Sequence, residues 1–151
     1  MRDHHARAWH IVADASRNIT DRYWCEGDNK RLVPARVGYH LLMAGERYTW
    51  QRSADDYLTQ RRYGMDWLEL PLEQLPLLSD YLVAMEAMAE ETDQWLRDAG
   101  DEGLLRTPSV WPWCGTTLLG QALYLLRHTQ YHVGDLNCEL RRLGLATAKW
   151  Q

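Results

Sequence analysis

The spacing of apolar residues is the feature that most constrains the fold of this chain. Apolar side chains recur every three to four positions over four long segments, and no two-residue alternation competes with them. The segments are residues 3–25, 34–51, 77–99 and 116–143. Such spacing places apolar side chains along one face of an α-helix. The sequence therefore predicts an all-α protein, a four-helix bundle that forms one domain over residues 1–151.

Proline and glycine predict where these helices begin and end. Pro34 suits the first turn of the second helix, and Gly100 and Gly144 suit the positions that follow the third and fourth helices. Residues 53–75, between the second and third helices, are charged, rich in tyrosine and interrupted by glycine and proline. We expect a long loop there with one short helical turn, and a turn-rich connection over residues 101–115.

Composition and charge narrow the class of protein. The 151 residues include 21 acidic and 17 basic side chains, a net charge of −4, which argues against a nucleic-acid-binding module. The N-terminus has no apolar signal segment, and no stretch has the pattern of a membrane span. The three cysteines, Cys25, Cys114 and Cys138, lack the spacing of a paired motif. We expect a cytoplasmic protein with reduced thiols, and neither nucleic acid nor membrane as a partner.

Two histidines in the fourth helix indicate a metal site. His128 and His132 are four residues apart, so their side chains lie one above the other on the helix and can converge on one ion. The alternative is a pair of surface or partly buried histidines with no ligand role.

His40 and Asp135 extend this pattern. His40 lies among apolar residues in the second helix, where it is either a satisfied core residue or a third metal ligand from a neighbouring helix. Asp135 follows His128 by seven residues and shares a polar stripe with it, together with Gln121. Asp135 is a candidate catalytic residue that orients a histidine or takes a proton, and the alternatives are a fourth ligand or a solvated charge. The remaining histidines, His4, His5 and His10, are expected to be solvated.

These two histidine segments carry a family resemblance. Residues 35–48, ARVGYHLLMAGERY, resemble the helix that supplies the first ligand in the DinB/YfiT-like superfamily of four-helix-bundle metalloenzymes. Residues 127–144, RHTQYHVGDLNCELRRLG, are similar to its His-x₃-His-x-Gly helix. Members usually carry glutamine or a similar residue where Asp135 stands, so the acidic side chain is a departure from the family pattern.

The resemblance implies a divalent metal, zinc or nickel, bound by His40, His128 and His132. It also implies a homodimer. Known activities in the superfamily are transfer of a thiol cofactor to an electrophile, maleylpyruvate isomerisation with a low-molecular-weight thiol, and metal-dependent hydrolysis. We therefore expect a metal-dependent transferase or hydrolase that acts on a small molecule, with a low-molecular-weight thiol as a further cofactor. The alternative is a non-catalytic bundle with a structural metal site or a buried histidine network.

Other residues near these segments have two interpretations each. Trp111, Trp113 and Cys114 precede the fourth helix and either cover the metal pocket or anchor a loop on the end of the bundle. Glu46 is six residues from His40 and faces another direction, so we do not expect it to be a ligand.

The fourth helix is apolar well beyond one narrow stripe, which supports the dimer. The residues concerned are Leu118, Leu119, Leu123, Leu126, Val133, Leu136 and Leu140.

Overall fold

The computed structural model describes residues 1–149, and over that range the protein is all-α. The helices are α1 (Arg2–Arg17), α2 (Asp21–Trp24), α3 (Pro34–Thr49), α4 (Ala54–Gln60), α5 (Leu78–Arg106) and α6 (Leu118–Arg142). Two 3₁₀ turns, Leu72–Gln74 and Pro112–Cys114, lie in the connections. The β pairing found in residues 1–149 is one isolated bridge between Pro108 and Thr117.

The four long helices enclose the core. α1 and α3 each pack against both α5 and α6, and α5 also touches α6. The largest buried cluster takes side chains from α1, α3, α5 and α6, including Trp9, Leu41, Met85 and Leu136. Burial of these apolar surfaces is the main stabilising contribution to such a fold. None of the helices in residues 1–149 combines the length and the apolar character needed to cross a lipid bilayer.

The prediction of one continuous helix over residues 3–25 is wrong for its last third. α1 ends at Arg17, and a break at residues 18–20 separates it from α2. The hydroxyl of Ser16, buried near the end of α1, donates to the Val12 carbonyl at 2.8 Å. After the break, Trp24 enters the core, where its Nε1–H donates to the Pro76 carbonyl at 2.8 Å. Tertiary contacts of this residue thus override the continuous helical pattern.

Two connections contain more helix than the sequence predicts. Within the expected loop at 53–75, α4 forms two turns, because the Ser53 side chain caps it by accepting from the Asp56 N–H at 3.1 Å. Gly100 adopts φ 57° and ψ 179°, which kinks α5 there, but helical hydrogen bonding resumes and continues to Arg106. Leu104 then packs with a separate buried cluster, and this burial explains the extra helical turns in the connection predicted as turn-rich.

Two glycines let α3 approach its neighbours closely. A Cβ on Gly38 would lie 2.7 Å from the Trp24 ring and 2.9 Å from the Tyr81 ring. A Cβ on Gly45 would lie 2.6 Å from the Met88 side chain. These distances are shorter than van der Waals contact, so the glycines set the distance between α3 and α5.

The apolar surface predicted on the fourth helix is shared among several neighbours. Leu118, Val133, Leu136 and Leu140 are buried within the chain's own core, because α6 packs against three other helices. Leu123, in contrast, is 49% exposed. The homodimer therefore stays a prediction that rests on a smaller outward surface than the sequence indicates.

Candidate metal centre

The structure brings the three predicted ligands together. His40 lies in the middle of α3, and His128 and His132 lie one turn apart on α6, which packs against α3. The Nε2 atoms of His40 and His128 are 3.0 Å apart, and one nitrogen from each of the three rings falls within 4.8 Å of the others. We refer to these residues as the histidine triad.

Burial keeps the triad neutral at physiological pH. Desolvation, followed by the neighbouring His128 and His132, lowers the pKa of His40 to about 3. Desolvation, with His132 and Arg127 adding to it, lowers the pKa of His128 to about 4. Desolvation also lowers the pKa of His132, although its contact with a carboxylate opposes the shift. A neutral imidazole is the form that binds a metal, so the triad is ready to ligate at pH 7.

Asp135 orients one member of the triad. Its Oδ2 lies 2.8 Å from Nδ1 of His132, which places the proton on Nδ1 and leaves Nε2 with a free lone pair. Asp135 does not join the triad as a fourth ligand, and residues 1–149 offer no other histidine, cysteine or carboxylate that does. Of the roles open from the sequence, this geometry corresponds to a positioning role, in which a carboxylate fixes the tautomer of a ligating histidine.

The donor set fits a divalent cation with an open position. Two nitrogens bound to zinc at about 2.0–2.1 Å in tetrahedral geometry lie about 3.3 Å apart, close to the His40–His128 separation. The ligand nitrogens of the triad lie within 4.8 Å of one another, so binding by all three requires the rings to draw closer by at most about 1.5 Å. Three protein ligands leave at least one coordination position for a small molecule, as in catalytic sites.

One aromatic neighbour of the triad was missed by sequence reasoning. Trp67, in the loop between α4 and α5, stacks on His40 with ring centroids 4.3 Å apart and planes at 25°. The Arg36 side chain, buried on α3, holds this loop by donating from Nη1 to the Trp67 carbonyl at 2.8 Å. No spacing pattern links Trp67 to His40 in the sequence. The aromatic content of the loop is the one signal that could have indicated a packed role for it.

Glu46 has a structural role away from the triad. Its buried carboxylate accepts from the Arg62 backbone N–H at 2.8 Å, from Arg62 Nε at 2.9 Å and from the Tyr63 N–H at 3.3 Å. It therefore anchors the segment after α4, consistent with its exclusion as a ligand. Gln121, predicted on the polar stripe, is also an anchor, because its Nε2 donates to the Tyr48 carbonyl at 2.8 Å.

The segment before α6 is anchored at one residue and exposed at the next. The buried Trp111 donates from Nε1 to the Arg47 carbonyl at 2.7 Å, which corresponds to the loop-anchor interpretation. Trp113 is 53% exposed. Burial raises the pKa of Cys114 to about 11, so its thiol is protonated at neutral pH and is a poor nucleophile.

His5 corrects the expectation that the N-terminal histidines are solvated. His4 and His10 are exposed, but the His5 side chain is only 1% exposed. Neither of its ring nitrogens has a hydrogen-bond partner in the described protein. Desolvation lowers its pKa to about 4, and the Ala122 carbonyl on α6 offsets part of this shift without reaching hydrogen-bonding geometry. His5 precedes Trp9 by four residues and Val12 by seven, so helical spacing places it on the buried face of α1, and this spacing is the signal that could have predicted its burial.

The fold and this site define an all-α protein with a partly buried cluster of three histidines that could hold a metal ion. Comparison with protein-family models, with curated proteins and with solved structures finds no match to this chain.

Proposed function

We propose that this protein is a metal-dependent enzyme of the DinB/YfiT-like four-helix-bundle type. It transfers a low-molecular-weight thiol to a small electrophile or hydrolyses a small molecule, with His40, His128 and His132 as ligands of zinc or nickel. The observation that supports this is three neutral imidazoles, one buried and two partly buried, with donor atoms within 4.8 Å of one another and no fourth side-chain ligand among residues 1–149. A structural zinc site, in contrast, has four protein ligands.

The residues of the chain have distinct tasks in this proposal. A bound divalent cation would act as a Lewis acid and lower the pKa of a water or thiol beside it. Asp135 keeps the proton of His132 on Nδ1, so that Nε2 stays available as a donor. Trp67 covers one face of His40 and restricts both its ring orientation and its access to water. Burial keeps all three imidazoles unprotonated.

A buried histidine network without catalysis is the second candidate. The 3.0 Å separation of His40 Nε2 and His128 Nε2 favours it, because two neutral imidazoles at that distance can share one hydrogen bond. The Nδ1 atoms of the same two residues are buried without a protein partner, which is costly for a purely structural network.

Metal content separates the two candidates. Protein purified without a histidine tag is analysed by inductively coupled plasma mass spectrometry, and then titrated with Zn²⁺ and Ni²⁺ after treatment with EDTA. We expect about one ion per chain, as for a single three-histidine site. Less than about 0.2 ion per chain, with no uptake on titration, would contradict the enzyme and favour the network.

Variants then test each ligand. His40→Ala, His128→Ala and His132→Ala should each lower metal affinity by far more than the roughly 10–100-fold typical of residues that only orient a ligand. His10→Ala is the control, because His10 is exposed on α1. If His40→Ala binds metal as tightly as the wild type, the three-ligand site is wrong.

The proposal also includes the setting of the enzyme. We place it in the cytoplasm as a homodimer that acts on a small-molecule substrate, without nucleic acid or membrane as a partner. The outward side chains of α6, such as the exposed Tyr131, support the dimer. Light scattering at micromolar concentration should give twice the chain mass of 17.7 kDa, and the mass of a single chain would contradict the dimer.

A further inference from the structure

A groove lies on the outer side of α6, one side chain away from the triad. It has a volume of about 430 Å³, within the range of small-molecule sites, and runs between the Pro112–Cys114 turn and α6. Its walls include Trp113, Leu123, Tyr124, Arg127 and Gln130. We call it the α6 groove.

One aromatic ring separates the α6 groove from the triad. Tyr124 lines the groove, and its ring is nearly parallel to that of His128, with planes at 23° and centroids 6.3 Å apart. Tyr48 packs against both Tyr124 and His128, with centroid distances of 4.8 Å and 6.1 Å. A molecule held in the groove therefore lies next to the wall of the candidate metal centre.

Trp113 forms a preorganised aromatic surface in this groove. It is 53% exposed, yet three neighbours fix its ring. The Arg47 guanidinium lies 4.8 Å from the ring centroid, Trp111 packs at 5.3 Å, and the indole Nε1–H donates to the Tyr48 hydroxyl at 3.4 Å. A large exposed ring held in one orientation loses little conformational entropy when a ligand packs on it.

The charge of the α6 groove is positive. Arg127 is the one ionised side chain among the groove residues, and its Cζ lies 4.9 Å from the Tyr124 ring centroid. Within residues 1–149 Arg127 forms no ion pair, and the groove contains no carboxylate that would neutralise it. A guanidinium presents paired N–H donors that match the two oxygens of a carboxylate, and Gln130 adds an amide beside it.

We propose that the α6 groove binds a planar aromatic carboxylate, with its ring against Trp113 and Tyr124 and its carboxylate on Arg127. The assignment of this ligand class as the substrate rests on the proposed metal-dependent function. Without a metal at the triad, a position near His128 has no catalytic use. Binding itself requires no metal, so the two proposals can fail separately.

Calorimetry tests the binding site with 2-naphthoate as the probe. EDTA-treated protein is titrated with 2-naphthoate and with the uncharged 2-naphthamide, which has the same ring. We expect the carboxylate to bind at least about 10-fold more tightly than the amide, as for a hydrogen-bonded charge pair. Arg127→Gln should abolish that preference. Arg141→Gln, the same charge change at an exposed site on α6, should retain it.

Further outcomes of the titration support or overturn the proposal. Trp113→Ala, which alters an exposed ring, should weaken both naphthalene probes by about 5-fold or more. Circular dichroism first establishes that each variant folds. Equal affinity for the acid and the amide, or unchanged naphthoate binding in folded Arg127→Gln, would overturn the proposal.

A nuclear magnetic resonance experiment tests the position of the groove relative to the triad. Paramagnetic Co²⁺ bound to the triad should broaden the proton lines of 2-naphthoate, and His128→Ala, which removes a ligand, should abolish the broadening. Binding without broadening in Co²⁺-loaded protein would place the ligand away from the triad and overturn its role as substrate. Absence of Co²⁺ uptake would contradict the metal proposal and leave the calorimetric result standing.

Discussion

The burial of His5 makes stability depend on pH in a way that one substitution can isolate. Its pKa falls from the ordinary 6.5 to about 4 in the folded protein, chiefly through desolvation. Above pH 6.5 the imidazole is neutral in both the folded and unfolded chains and has no effect on pH dependence. As the pH falls below 6.5, the unfolded chain takes up a proton that the folded chain refuses, so the free energy of unfolding decreases.

The size of this effect follows from the two pKa values. A difference of about 2.5 in pKa corresponds to roughly 3 kcal/mol once the pH is below both values. At about pH 4.5 most of it, roughly 2–3 kcal/mol, is already lost. This is a large share of the total of about 5–15 kcal/mol that stabilises a typical domain.

Urea unfolding measures this loss of stability when the wild type and His5→Met are compared at about pH 7.5 and pH 4.5, with EDTA present throughout. Methionine fills the site without a titratable group. The triad contributes to acid destabilisation in both proteins, so its effect cancels in the difference. We expect the wild type to lose roughly 2–3 kcal/mol more than the variant over this pH range.

The matched control is His10→Met, a change on the same helix at an exposed position, which should keep the wild-type pH dependence. If His5→Met loses as much stability as the wild type, to within about 0.5 kcal/mol, the argument from desolvation is refuted.

Three other predictions concern the triad, the helix interface and the loop anchor. Asp135→Asn should weaken Zn²⁺ binding by roughly 10–100-fold in competition with a chromophoric chelator, and an unchanged affinity would contradict its positioning role. In urea unfolding, Gly38→Ala should destabilise the protein by about 1–3 kcal/mol, because the added Cβ meets two buried rings. Gly134→Ala, which has open space around it, should stabilise the protein by up to about 1 kcal/mol. A greater loss of stability in Gly134→Ala than in Gly38→Ala would show that α3 shifts to make room for the Cβ of residue 38 at little cost in free energy. Glu46→Gln should lower the free energy of unfolding by about 1–3 kcal/mol, because its carboxylate anchors the segment at Arg62. Glu91→Gln, which removes only the exposed partner of the same arginine, should lower it by less than about 1 kcal/mol. Equal effects would contradict the role of Glu46 as an anchor.

The helices could be predicted because their cause is local. Apolar spacing depends only on the helical repeat, and it located all four long helices, with both ends of α3 and α6 placed to within two residues. Their ends were less predictable. α1 stops at Arg17 and Trp24 enters the core after a break, and α5 continues past Gly100 because Leu104 finds a buried cluster. Each of these differences depends on a contact with a residue far away in the sequence.

The candidate site divides in the same way. The proximity of His128 and His132 follows from their four-residue spacing on one helix, which the sequence alone determined. The 3.0 Å approach of His40 to His128, across 88 residues of chain, required α3 to pack against α6. The stacking of Trp67 on His40 was also decided by tertiary structure. A sequence pattern determines which side chains share a helix face, whereas the packing of whole helices, through positions such as Gly38, determines which faces meet.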